Sequence, residues 1–108
     1  MSRRVVVTGM GALSPIGNSS PEILQGLQSG KNGIGSITHF DPTDYSVKIA
    51  GQVNIDLESH IDKKELNRLD RFSAFAIIAS DEAIKQSGID KAPDLERVGV
   101  IIGSGVGG

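Results

Sequence analysis

Two glycine patterns follow apolar, β-branched runs, the context in which a backbone turn can cradle a phosphate. Gly9-Met10-Gly11 comes after Val5-Val6-Val7-Thr8, and Gly103, Gly105 and Gly108 come after Val98-Gly99-Val100-Ile101-Ile102. In a dinucleotide site the G-x-G-x-x-G pattern makes the tight turn and brings the pyrophosphate to the N-terminus of the next helix. The first pattern fails, because Ser14 stands at the third glycine position and Pro15 follows where the helix would open. The second fits formally, yet the chain stops before a helix N-terminus could hold a phosphate. The plainer reading of both is that glycine permits a positive φ or a close approach of backbones.

A second constellation is basic. Lys64, Arg68 and Arg71 fall at i, i+4 and i+7, with Lys63 beside them and Leu66, Leu69 and Phe72 at positions that point away. The spacing predicts a basic ridge on one exposed helix face. Such a ridge would dock an acidic partner, steered by charge and weakened by salt. An ordinary solvated face, neutralised in part by Glu65 and Asp70, is the competing reading.

Catalytic groups are sparse. The chain has no cysteine, which excludes disulfides, thiolate metal sites and thiol nucleophiles within these residues. His39 and His60, the only histidines, lie in polar, loop-like segments without H-x-x-x-H or carboxylates at metal spacing. Ser14 lies between Gly11 and Gly17 and Ser104 directly between Gly103 and Gly105, but neither has the glycine two residues before it that a G-x-S-x-G nucleophile elbow requires. No serine is assigned a catalytic role, and no metal or cofactor is expected.

The elements that must position these residues can be read from periodicity. Val5 to Thr8, closed by Gly9 and Gly11, reads as a buried strand entering a tight turn. Ser19-Ser20-Pro21-Glu22 offers an N-cap hydroxyl, an early proline and a first-turn acid, and Gly30 a stop, which predicts a helix over about residues 21–29. Residues 31–44 read as a loop. Val47, Ile49 and Val53 then alternate with Lys48, Ala50 and Gln52 as a strand does. Asp62-Lys63-Lys64-Glu65 has capping-box spacing and opens a helical stretch that breaks near Asp70. Phe72, Phe75, Ala76, Ala79 and Ala83, widened by Ile77, Ile78 and Ile84, predict a largely buried helix ended by Gly88. Arg97 to Ile102 reads as a second buried strand.

Apolar strands separated by helices predict an α/β fold with a partly parallel sheet, whose strands need cover on both faces. These 108 residues supply too little of it, so the segment is expected to be an incomplete single domain. With 38% hydrophobic and 22% charged residues the composition is that of a globular protein. A net charge of −2 gives no global case for nucleic acid or a membrane, and the start is too short in apolar residues for a signal peptide or span. A cytoplasmic protein is the default expectation.

Three segments, taken in order, carry a resemblance. Val5-Val6-Val7-Thr8-Gly9-Met10-Gly11 with Ser14-Pro15-Ile16-Gly17, then His39-Phe40-Asp41-Pro42, then Ile101-Ile102-Gly103-Ser104-Gly105-Val106-Gly107-Gly108 together resemble the start of the β-ketoacyl-acyl carrier protein synthases. Ile49-Ala50-Gly51 and Leu69-Asp70-Arg71-Phe72 between them look like the elongating, type II kind. The resemblance implies the first part of the N-terminal half of a thiolase-like fold, layered α-β-α-β-α, in a homodimeric enzyme. It implies a reaction in which an acyl group passes from acyl carrier protein to a cysteine, and malonyl carrier protein loses CO2 as the new carbon–carbon bond forms. That cysteine and two histidines lie further along the family's chains. The segment alone is therefore expected to be inactive.

The resemblance also implies two roles within these residues. Val106 matches a position against the acyl-chain pocket, where a branched side chain gates how much chain enters. Lys63, Lys64 and Arg68 match basic positions that receive the acidic helix of the carrier protein. A non-catalytic carrier-binding module using the Lys63 to Arg71 ridge is the alternative from another class, and a nucleotide-binding fragment using the Gly103 turn is a third. Taken alone, the segment is expected to expose apolar surface and to aggregate or stay partly unfolded.

Overall fold

A computed structural model describes residues 2–107, in two compact units: Leu13–Asp56, and the residues up to Ala12 together with those from Leu57 onward.

In the unit Leu13–Asp56, Ser14 and Gly17 exchange backbone hydrogen bonds of 2.9 and 3.2 Å around Pro15-Ile16. Helix α1 follows as Ser20–Gln28, within a residue of expectation. Ser19 caps it, its hydroxyl accepting from the Glu22 amide at 3.3 Å, while Glu22 Oε2 accepts from the Asn18 amide at 2.7 Å. Gly30 beyond it takes φ +68°. The turn at Ile16 packs onto Gly26, where a Cβ would stand 2.8 Å from the Ile16 carbonyl.

Strands β1, Ile34–Ser36, and β2, Ile49–Gly51, pair antiparallel with Ile34 opposite Gly51 and Ser36 opposite Ile49. The strand expected around Ile49 is thus present in its middle. Its partner falls inside residues 31–44, expected to be loop, because the ladder forms between residues distant in sequence while Gly33 and Gly35 locally argue against a strand. The pairing is antiparallel, which corrects the expectation of a partly parallel sheet for the part of the chain that forms one.

In the other unit, α2, Lys63–Leu66, is a single turn, and α3, Arg71–Ser87, is the main helix. Gly88 ends α3 at φ +66°, its amide donating to the Ile84 carbonyl at 2.8 Å, as a left-handed C-cap requires. Residues 9–12 lie directly on α3: a Cβ at Gly11 would stand 1.7 Å from the Ala79 carbonyl oxygen, and one at Gly9 2.3 Å from that of Ala83. Gln86 Oε1 accepts from the Met10 amide at 2.6 Å and Glu82 Oε2 from the Ala12 amide at 3.0 Å. Helix α3 thereby satisfies amides that a sheet would otherwise take up.

Two expectations are corrected here. Neither residues 5–8 nor residues 98–102 form a strand, and both runs are exposed, Val5 at 90% and Ile101 at 98%. A strand exists through its ladder, and no described strand lies beside either run. For the same want of cover α3 is not largely buried: only Ala74 and Ile78 of its residues are, while Phe72, Ile77 and Ile84 remain accessible. Among the described residues, helix and one small sheet make a mixed architecture, and no helix is long and apolar enough to cross a membrane.

Candidate functional site

The basic residues are held by the short turn of α2. Asp62 caps it, Oδ1 accepting from the Lys64 amide at 2.9 Å, and the Asp62 carbonyl accepts from the Leu66 amide at 2.9 Å. The next bonds tighten to a three-residue span, from the Arg68 amide to the Glu65 carbonyl at 3.0 Å and from Leu69 to Leu66 at 3.1 Å. The helix therefore runs out after one turn, and α3 starts afresh after Asp70. Just before the turn Ile61 is buried, 6% exposed, and within and after it Leu66 and Leu69 are half-buried.

This geometry corrects the single helix face. Lys63 and Lys64 stand on α2, Arg68 on the connecting turn and Arg71 at the start of α3. Lys63, Lys64 and Arg68 are all exposed. Lys63 Nζ lies 3.9 Å from Glu58 Oε1, with both side chains well exposed, in the 3-10 turn Leu57–Ser59 that packs on α2. The Arg71 guanidinium instead stacks over the Phe75 ring, 5.0 Å from its centroid. The result is a compact basic turn of three cations, with the fourth drawn onto an aromatic face.

Val106 is 88% exposed, and the Ser104 hydroxyl donates to its carbonyl at 2.9 Å. An open apolar groove of about 350 Å3 runs nearby between α3 and residues 102–104, lined by Phe72, Ala76, Ile77 and Ile102, and Val106 is not part of that lining. Residues 98–107 contain no helix, so the Gly103 turn opens onto no helix N-terminus; Gly108 lies outside the described residues.

His39 and His60 are exposed, and no group of three or more metal-ligating side chains is found among the described residues. His39 borders a hollow with Pro15, Asn32 and Asn54. There Gln52 is spent on the backbone: Oε1 accepts from the Thr38 and His39 amides at 3.0 and 3.3 Å, and Nε2 donates to the Ser36 carbonyl at 3.0 Å. Neither Ser14 nor Ser104 meets a base: the Ser14 hydroxyl accepts from the Ile16 amide at 3.2 Å. The loop expected up to Asp44 runs on to residue 48, because β2 starts at Ile49 rather than at Val47. There Asp41 accepts from the Thr43 hydroxyl and amide, and Lys48 Nζ donates to the carbonyls of Thr43 and Tyr45 at 3.2 and 3.0 Å. The Thr43 hydroxyl, and after it the Thr43 amide, holds the Asp41 carboxyl below its ordinary 3.8. Asp41, one of the residues that mark the loop in the sequence, here makes an Asx turn with Thr43.

An exposed basic turn can meet acidic groups, and an apolar groove can bury methylenes. Known proteins resemble the chain along almost its whole length. It is 50% identical over 109 residues to "3-oxoacyl-[acyl-carrier-protein] synthase 2" of Staphylococcus aureus (strain COL), and 44% identical over 108 residues to the protein so named in Synechocystis sp.. These alignments take in 99% and 98% of this chain but 26% of each relative, so it spans about a quarter of their length. The family described as "Beta-ketoacyl synthase, N-terminal domain" matches residues 2–108, and the chain belongs to that family.

Proposed function

We propose that these residues are part of a condensing enzyme of fatty-acid elongation, converting acyl-ACP and malonyl-ACP to 3-oxoacyl-ACP, ACP and CO2. In that enzyme they supply a carrier-protein docking surface and part of an acyl-pocket wall, with no catalytic residue. The observation that carries the reading is the exposed turn bearing Lys63, Lys64 and Arg68, three cations with no burial to satisfy and no catalytic group beside them. Carrier proteins present an acidic helix, and complementary charge of this kind raises encounter rates and fixes register. The likeness to proteins named for action on an acyl carrier protein supports the same partner. By family the whole enzyme is a cytoplasmic homodimer with the layered thiolase-like fold, whose sheet would pair and cover the runs at residues 5–8 and 98–102. Val106 then lies against the acyl chain, where each methylene excluded from burial costs about 0.8 kcal/mol.

The test uses the full-length synthase bearing this segment. In Lys64→Ala/Arg68→Ala, KM for carrier-protein substrates should rise about tenfold at low salt while kcat holds. Acyl substrates on a short pantetheine arm should react as before. In Val106→Phe, activity should fall for long acyl chains and persist for short ones. An unchanged KM for carrier proteins would remove the docking role, and an unchanged chain-length profile would remove the pocket role. The same exposed basic turn also fits a second reading, a non-catalytic carrier-binding module. Condensing activity of the full-length protein would exclude it.

A further inference from the structure

We infer that Glu58 is a specificity-determining residue of the basic turn, an internal counter-charge that holds down its affinity for acidic partners. The inference rests on the docking reading above. Four acids stand between Leu57 and Arg71, and they differ in where they sit: Asp70 is the residue before α3, without a side-chain cap bond. Asp62 spends its carboxylate on the Lys64 amide as the cap of α2, and Glu65 lies on α2 itself, while Glu58 reaches in from the preceding 3-10 turn to a lysine of the docking set. Its carboxylate stands 3.9 Å from Lys63 Nζ at a wet surface, with 75% of the lysine side chain and 62% of the glutamate exposed.

An ion pair this open contributes little to folding, because water and salt screen it and two long side chains must be held in place. Its consequence falls on binding. An incoming carboxylate must take Lys63 from Glu58, and it must also approach Glu58's own charge. Both effects oppose an acidic ligand, and neither touches a neutral one. Charges at the rim of an interface act chiefly on the association rate and its salt dependence. Glu58 would thereby keep the complex weak enough to release its carrier and would favour partners whose acidic groups reach Lys64 and Arg68 as well as Lys63.

The experiment measures carrier-protein binding by full-length synthase in stopped-flow and equilibrium modes, comparing wild type, Glu58→Gln and Lys64→Ala/Arg68→Ala. Glu58→Gln keeps the shape and removes the charge. It should tighten binding about two- to fivefold at low salt, mostly through a faster association rate, and the gain should vanish at high salt. Glu58→Asp should restore wild-type affinity in part, and an unchanged Tm in Glu58→Gln would set a folding effect aside. If Glu58→Gln binds as wild type while Lys64→Ala/Arg68→Ala binds more weakly, the inference is overturned and the docking surface stands. If neither variant alters binding, both fall together.

Discussion

At the residue scale, the side chains that matter most are used on backbone. Asp62, Gln52, Glu82 and Gln86 each accept from main-chain amides, and Lys48 donates to main-chain carbonyls. These bonds fix where the exposed cations and loops sit. The Asp41 loop gives this a measurable sign. Hydrogen bonds from Thr43 favour the carboxylate, so the folded-state value lies below the ordinary 3.8. A depressed carboxyl contributes stability that is present above 3.8 and lost as pH falls through the lower folded value. Thr43→Val removes the hydroxyl, the larger cause, and should move the Asp41 midpoint up toward 3.8 in a carboxyl-carbon NMR titration, with the Thr43 amide holding it partly down. A midpoint unmoved by the substitution would mean that the hydroxyl does not hold that carboxylate in solution.

At the element scale, α3 organises its unit through close approach rather than through a large buried face. Gly9 and Gly11 let residues 9–12 lie against its backbone, and Gly88 turns the chain out of it. Gly11→Ala sets a Cβ 1.7 Å from the Ala79 carbonyl, a clash with backbone that no rotamer relieves. It should cost about 1–3 kcal/mol, whereas Gly88→Ala, strained only by φ +66° in open space, should cost about 1 kcal/mol. Thermal melts of the full-length protein check the order: Gly88→Ala falling further than Gly11→Ala would contradict it. Much at this scale was legible in sequence. Ser19, Asp62 and Gly88 mark helix ends because caps are local chemistry, and the structure puts a cap at each. Strand β1 was not, since its pairing with β2 is a long-range fact hidden behind Gly33 and Gly35. The basic residues were found, but their single helical face was not the outcome. Periodicity carried the pattern from Lys64 to Arg71 across a break that was itself legible at Asp70.

At the scale of the whole molecule, the exposed apolar runs decide how these residues behave by themselves. The pattern at residues 5–8 and 98–102 is that of strands covered on both faces, and neither run has a strand beside it among the described residues. Of the apolar side chains among the described residues, only Ile61, Ala74 and Ile78 are buried. Two of these are large side chains, so the apolar surface that these residues bury among themselves is small. Val5, Val7, Val100 and Ile101, at 79–98% exposure, would meanwhile offer sticky β-forming edges to other molecules. The 108 residues produced on their own should therefore bind a hydrophobic dye, sediment as aggregates and melt without a sharp transition, whereas the same residues within the full-length synthase should melt cooperatively. A soluble monomer of the 108 residues with a sharp, reversible melt would show instead that local capping and the packing of residues 9–12 on α3 suffice to hold the fold.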